Sequence, residues 1–261
     1  TELRVWTKIV NQMSKTSYGT WLTIYSEAIA EILSRAGYDW ITIDLEHTAI
    51  SLTQAEKLIR VIDLCGVKPI VRVSSNNSAE IKKILDFGAK GIIIPMINNV
   101  EDVKKAISAC FYPPSGSRGM GLYRAQGYGD KVKKEKYIKD DAEQIELYLN
   151  IESREAVENI ESIFDSDITG YFLGPYDLSA SIGSPGKFDT LEFIDLEKKI
   201  MRAAEKYNIK RGIHVVEPSK KDLIEKQSLG YDMIAFSVDI RMLDYVARIP
   251  SVSYTHLRAH E

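Results

Sequence analysis

Groups able to move protons or hold a cation stand at the ends of β-branched runs in this chain. DWITIDLE (39–46) finishes with Asp44 and Glu46 and is followed by His47, PIVRVS (69–74) carries Arg72, and ELYLNIE (146–152) ends with Asn150 and Glu152. GYFLG (170–174) runs into the turn GPYDLSAS, which supplies Gly174 and Asp177. GIHVV (212–216) holds His214, and MIAFSV (233–238) leads into Asp239. Glu152 and Asp177 are hard oxygen donors on adjacent strand ends. They can converge on one cation of the Mg2+ or Mn2+ type and leave other positions to water and substrate oxygens. The competing reading makes each a helix cap, Glu152 for a helix opening at Ser153 and Asp177 for one opening at Leu178. His47 is a candidate base because imidazole titrates near neutrality, and Asp44 or Asp86 could fix its tautomer through the other ring nitrogen. A lone histidine at a strand end is more often structural, and His214, inside an apolar run, reads that way. Arg72 favours function: an arginine within a barrel strand is costly unless paired, and its fork suits a carboxylate or enolate oxygen.

What is missing narrows the chemistry. No strand end bears a lysine, so a Schiff-base mechanism lacks its nucleophile. The turns VVEPSK and SVDIRM contain no glycine, which removes the phosphate cradle common in sugar-phosphate barrels. Neither a GxSxG elbow nor a Walker loop occurs.

The elements that must position these groups alternate. Eight β-branched runs, beginning with GTWLTI (19–24), are separated by amphipathic stretches, several of which open on Ser or Asn and close on Gly, the expected cap chemistry. Without a linker between them, these units predict a single closed (β/α)8 barrel over 1–250 in which catalytic groups gather at the C-terminal ends of the strands. The last helix reads as truncated. Residues 251–261, SVSYTHLRAHE, follow Pro250 without an apolar period and resemble a sequencing adapter translated in frame, so they are set aside as a non-native tail. YPPSGSRGMGLYRAQGYG (112–129) joins a helix to the next strand and reads either as a long surface loop or as a cover for a neighbouring subunit's site.

Composition fits a soluble globular protein with a sizeable core: 261 residues, 44% hydrophobic and 27% charged. A net charge of -3 leaves no basic excess for phosphates, so nucleic acid is an unexpected partner, and KVKKEKYIKD (131–140) reads as a solvated helix face. Two cysteines, Cys65 and Cys110, have neither disulfide-framework nor zinc spacing and fit a reduced cytoplasm. No apolar run is long enough to span a membrane.

With these residues assembled, the chain resembles the HpcH/HpaI family of metal-dependent (class II) pyruvate aldolases. The resemblance runs from about Gly19 to Asp239 and is carried by DLEH (44–47), VRV (71–73), KILDFGAKGIIIPM (83–96), YPPSGSRGMG (112–121), NIES (150–153) and GPYDLSAS (174–181). It implies a divalent metal, Mg2+ or Mn2+ with Co2+ as an option, held by Glu152 and Asp177, and no organic cofactor. It implies pyruvate chelated to that metal, Arg72 balancing the enolate charge, and His47 moving the proton with Asp86 and Asp44 in support. Backbone donors near Gly174 and Tyr176 would anchor the substrate carboxylate, with Asn150 beside it. The implied reaction is cleavage or formation of a 4-hydroxy-2-oxo acid, with pyruvate and an aldehyde as the small-molecule partners, in a homo-oligomer, a hexamer or trimer. Leu45, Asn150 and Tyr176 replace the Gly, Gln and Ala more usual at those positions, which bears on the choice of substrate more than on the metal. Two further readings stay open: a CoA-ester lyase of the citrate-lyase or malyl-CoA type on the same scaffold, and a non-catalytic barrel that binds a keto acid.

Overall fold

The computed structural model describes residues 16–131, 137 and 144–258, with side chains through 250. Eight parallel strands close on themselves in chain order. They are β1 Ser17–Leu22, β2 Trp40–Asp44, β3 Lys68–Arg72, β4 Gly91–Ile94, β5 Glu146–Ile151, β6 Gly170–Leu173, β7 Lys210–Val215 and β8 Met233–Val238. The helices between and after them are α1 Glu27–Arg35, α2 Leu52–Leu64, α3 Ser78–Asp86, α4 Val100–Cys110, α5 Arg154–Glu158, α6 Ile160–Phe164, α7 Pro175–Ser181, α8 Leu191–Tyr207, α9 Lys220–Ser228 and α10 Asp239–Arg258. The predicted (β/α)8 barrel is what the chain forms.

Local chemistry sets the boundaries. Ser51 and Gln54 form a reciprocal capping box at the start of α2, while Asn77 and Asn99 accept two backbone N–H groups each at the starts of α3 and α4. After α2 and α3 the chain reverses toward the next strand through Gly66 and Gly88, whose φ of 82° and 102° a side chain would resist. SREAVENIESIF, expected as one helix, divides at Asn159, whose ψ of 8° breaks the helical path between α5 and α6. α10 starts directly at the end of β8 and runs to Arg258, into the segment read as a tail; Pro250 removes one backbone donor without ending it. Among the described residues no helix is long and apolar enough to cross a membrane. Most of the basic run 131–140 lies outside the described residues.

Two apolar layers hold the barrel. Aliphatic residues on the outer faces of the strands, such as Ile41, Ile92 and Leu149, pack against Ile59, Ile84 and Val103 of the helices. Inside, Trp40, Ile70, Ile93, Tyr148, Phe172 and Met233 fill the centre. Gly19 makes room for one of these rings, since a Cβ there would stand 2.1 Å from the Trp40 indole. Register then decides which residues reach the open end. Asp44 is paired with Arg72, Arg72 with Ile93, Asn150 with Phe172 and His214 with Ala235. Alternate strands share a level in such a barrel, so β1, β3, β5 and β7 contribute Trp21, Arg72, Asn150 and His214 to the uppermost interior tier. Glu152 follows Asn150 one step higher.

The loop after α4 packs on the opposite end. Arg118 donates to Asp86 Oδ1 at 2.6 Å, Gln126 Nε2 reaches the same oxygen at 3.0 Å and the Tyr112 hydroxyl at 2.9 Å, and the Asp86 carbonyl accepts from Ala125. Arg118 and Gln126 are buried there. Asp86, expected beside His47, is instead the polar hub of this loop: it closes α3, and a helix following a strand returns to the end where the strands begin. Within one chain it does not join the other candidates.

Candidate active site

The other residues to which the resemblance gives a role line one cavity of about 380 Å3 at the C-terminal mouth: Asp44, His47, Arg72, Asn150, Glu152, Gly174, Tyr176 and Asp177; Asp239 does not, and instead accepts the Thr23 and Ile24 N–H groups at 2.9 and 2.7 Å. Its floor is the tier of Trp21, Arg72, Asn150 and His214.

Arg72 is the most tightly held group. Its Nε and Nη2 donate to the two oxygens of Asp44, both at 2.8 Å, and Nη1 lies 2.9 Å from Glu46 Oε2. The guanidinium also sits 4.4 Å from the Trp21 ring centroid, a cation–π contact. The pairing follows from β2–β3 register, because Asp44 and Arg72 are direct neighbours that both point into the barrel. Asp44 Oδ1 additionally accepts the Glu46 backbone N–H at 3.1 Å. Asp44 is therefore committed to Arg72, which corrects the expectation that it orients His47. The His47 side chain is 66% exposed at the rim, with Nε2 3.7 Å from Glu46 Oε2.

Glu152 is buried, and each of its oxygens accepts one hydrogen bond: Oε1 from the Met96 N–H at 2.7 Å, Oε2 from Asn150 Nδ2 at 3.1 Å. Met96 reaches it by adopting φ 55°, a left-handed conformation that costs a non-glycine residue on the order of 1–3 kcal/mol. Burial raises the Glu152 pKa; the Met96 hydrogen bond opposes the rise and the Asp177 charge adds to it. Burial also raises that of Glu46, with Arg72 opposing and Glu152 adding. Asp177 lies in the first turn of α7 and is exposed. Gly174, just before that helix, is where β6 meets Glu152: a Cβ there would stand 2.8 Å from Glu152 Oε2 and 2.7 Å from its Cβ.

Two carboxylates thus share a water-accessible cavity, neither forms an ion pair among the described residues, and each retains lone pairs for a metal. Among the described residues no set of three acidic, histidine or cysteine side chains is grouped to hold a metal. The pair fits a hard dication that takes its other oxygens from water and substrate, and does not fit a closed structural site.

Sequence reasoning passed over two contributors, Trp21 and the Met96 N–H, and left Glu46 and His214 without their roles. Trp21 gives no sign in GTWLTI beyond an inward parity, and Glu46, legible as a strand-end acid, is the second anion on Arg72. The Met96 N–H is invisible in any side-chain pattern. His214 has a more informative place than an apolar strand implies, since its ring lies in the cavity wall.

Comparison with known proteins identifies the family. The profile of the HpcH/HpaI aldolase/citrate lyase family matches residues 17–243. A 2-keto-3-deoxy-L-rhamnonate aldolase of Klebsiella pneumoniae subsp. pneumoniae is 35% identical over 86% of this chain and 84% of its own length. A hydroxypyruvate/pyruvate aldolase of Sagittula stellata is 38% identical over 65% of this chain, which spans 66% of that protein. The crystal structure of an HpcH/HpaI aldolase from Desulfitobacterium hafniense DCB-2 superposes with a TM-score of 0.85 at 26% identity, covering 95% of each chain. With a matching profile over nearly the whole barrel, a curated relative above a third identity and the same closed fold, the chain belongs to the HpcH/HpaI aldolase/citrate lyase family and is a carbon–carbon lyase of the aldolase type.

Proposed function

We propose that this enzyme cleaves, and in reverse forms, a 4-hydroxy-2-oxo acid, giving pyruvate and an aldehyde with the aid of a divalent cation. The observation that carries the reading is one cavity holding two uncompensated acids beside a guanidinium locked in place by Asp44 and Glu46. Glu152 and Asp177 would hold the cation, which supplies Lewis acidity toward the 2-oxo group. The remaining steps belong to the chain. The uncapped first turn of α7 offers the Tyr176 backbone N–H for the substrate carboxylate, while the Gly174 N–H is given to the Ile151 carbonyl. His47, at the rim, takes the proton from the C4 hydroxyl directly or through water. The C4 oxygen forms the aldehyde carbonyl, the C3–C4 bond breaks, and its electron pair becomes the enolate of pyruvate. The negative oxygen of that enolate falls to Arg72, whose orientation is already set and needs no rearrangement as charge develops. A proton returned to C3 completes pyruvate. Among the described residues no lysine lines the cavity, so amine catalysis has no nucleophile there.

The test is steady-state cleavage of a panel of 4-hydroxy-2-oxo acids with and without chelator, together with borohydride treatment in the presence of pyruvate. The expected result is loss of turnover with chelator and recovery with Mn2+, with no covalent adduct. A trapped lysine adduct, or full activity in chelator, would refute the reading.

A further inference from the structure

Glu46 Oε2 is sealed from solvent and accepts no hydrogen bond among the described residues, although Arg72 Nη1 lies 2.9 Å away. The guanidinium spends its Nε and Nη2 hydrogen bonds on Asp44, so Glu46 meets it as a charge and not as an acceptor. A buried carboxylate oxygen without a donor is costly. A second donor stands within reach: His47 Nε2 is 3.7 Å from the same oxygen. The Glu46 side chain is 14% exposed and that of His47 66%, so the carboxylate is the fixed member and a small turn of the imidazole closes the gap to hydrogen-bond distance.

The turn after β2 aims the carboxylate. Asp44 Oδ1 accepts the Glu46 N–H at 3.1 Å, the Leu45 N–H is bound to the Arg72 carbonyl at 2.9 Å, and the Thr48 hydroxyl donates to the Asp44 carbonyl while accepting the Ile50 N–H at 3.2 Å. With the backbone pinned this way, Glu46 turns back to Arg72 and His47, next in the chain, stays on the cavity rim. Asp44 is committed to Arg72, and Asp86 is held by Arg118 at the far end of the barrel. Asp44, Arg72, Glu152 and Asp177 also line the cavity, but among the described residues Glu46 alone is in ion-pair contact with His47. Burial raises the Glu46 pKa and the Arg72 charge opposes the rise; Oε2 is the oxygen that faces that charge.

A carboxylate oxygen only accepts, so an imidazole turned to it through Nε2 carries its proton there and keeps the lone pair on Nδ1. Nδ1 then takes the proton of the C4 hydroxyl. The O–H electron pair becomes the second bond of the aldehyde carbonyl, and the C3–C4 pair passes to the enolate. The imidazolium formed in that step has its Nε2–H on a carboxylate, which stabilises the positive charge as it appears and holds the ring until Nδ1 gives the proton up. One side chain thereby steadies both the base and the guanidinium.

We propose that Glu46 is the positioning residue of the catalytic base: its Oε2 holds His47 through Nε2 and leaves Nδ1 as the atom that takes the substrate proton. This inference rests on the aldolase reading above.

The experiment measures kcat and KM for cleavage of 4-hydroxy-2-oxopentanoate by Mn2+-loaded protein and by its Glu46→Gln, His47→Asn and doubly substituted variants. Glu46→Gln is expected to lower kcat by about 30-fold or more with KM changed less than about threefold, and to cost less than about threefold further in the His47→Asn background. Nitrogen NMR of metal-free, histidine-labelled protein gives a readout that support of Arg72 alone would not move. With the His47 signal assigned by its absence in His47→Asn, the neutral ring is expected to be protonated at Nε2 to a greater extent than free histidine, and to return to the free-histidine ratio in Glu46→Gln. Equal losses of kcat from Glu46→Gln with and without His47 would mean that Glu46 acts through Arg72 only, and overturn the proposal. A tautomer ratio unmoved by Glu46→Gln also overturns it. Should Glu46→Gln fail to fold, the unaltered protein decides: a His47 ring no more Nε2-protonated than free histidine refutes the assignment. In each of these cases turnover by the unaltered enzyme leaves the aldolase reading standing. No turnover by the unaltered enzyme, and no exchange of pyruvate methyl protons into heavy water, refutes that reading and this inference with it.

Discussion

Asp44→Asn preserves the size of the residue that holds Arg72 while removing its charge. Asp44 accepts from Nε and Nη2 at 2.8 Å each, and the two side chains are 3% and 13% exposed, so the pair is little screened by water. An amide keeps one acceptor oxygen and turns its NH2 group toward a guanidinium N–H, which replaces a charge-assisted bond by two opposed donors. Removing one member of a buried ion pair costs ~3–5 kcal/mol. Glu46 still neutralises Nη1 from 2.9 Å, so a cost somewhat below that range, about 2–3 kcal/mol, is the appropriate figure. For a chain of this size that lowers Tm by ~4–12 °C. Turnover should fall further than stability, because an oxyanion donor that has lost its orientation costs ~100-fold in kcat. Circular dichroism melts and a cleavage assay coupled to lactate dehydrogenase measure the two effects, and Arg72→Lys, alone and combined with Asp44→Asn, closes a double-mutant cycle. The single substitutions should be strongly non-additive in kcat. Were Asp44 instead orienting His47, the effects would add and the pH–rate profile would move. A kcat within about threefold of the unaltered enzyme, given the ~100-fold expected, refutes the argument that Asp44 positions the guanidinium.

Gly174→Ala brings a methyl group within 2.8 Å of Glu152 Oε2 and should weaken Mn2+ binding by ~10-fold or more in an electron paramagnetic resonance titration, without large loss of Tm; unaltered affinity would mean that Glu152 is not a ligand. Stability should also depend on His214. Its folded pKa of about 4 lies below the ordinary histidine value of 6.5, so the folded state binds fewer protons than the unfolded one between these limits. Stability present above pH 6.5 is then lost as pH falls toward 4, by ~1–3 kcal/mol once partial solvent access is allowed for. The difference in Tm between the unaltered protein and His214→Leu should change over this range, and a constant difference would contradict a neutral buried ring.

The barrel was legible because its parts are local. Isoleucine and valine runs, Ser and Asn caps and Gly stops each act within a few residues, and they recur in a register that only a closed parallel sheet accommodates. The strand-end acids were legible for the same topological reason. Which group pairs with which was not, since pairing is a matter of register between strands. Asp44 binds Arg72 because they are Cα partners, a relation no single strand displays. Within one chain Asp86 lies away from His47 because α3 returns to the far end of the barrel, a direction that the KILDFG motif does not display. The Met96 N–H depends on positive φ at a residue whose type does not announce it.

The tiered interior has an evolutionary and practical corollary. The groups assigned to bond-breaking sit on β3 and on the rim after β2, β5 and β6, whereas Trp21 and His214 come from β1 and β7. The strands bearing the two acids can therefore be left untouched while the β7 side of the cavity floor is redesigned.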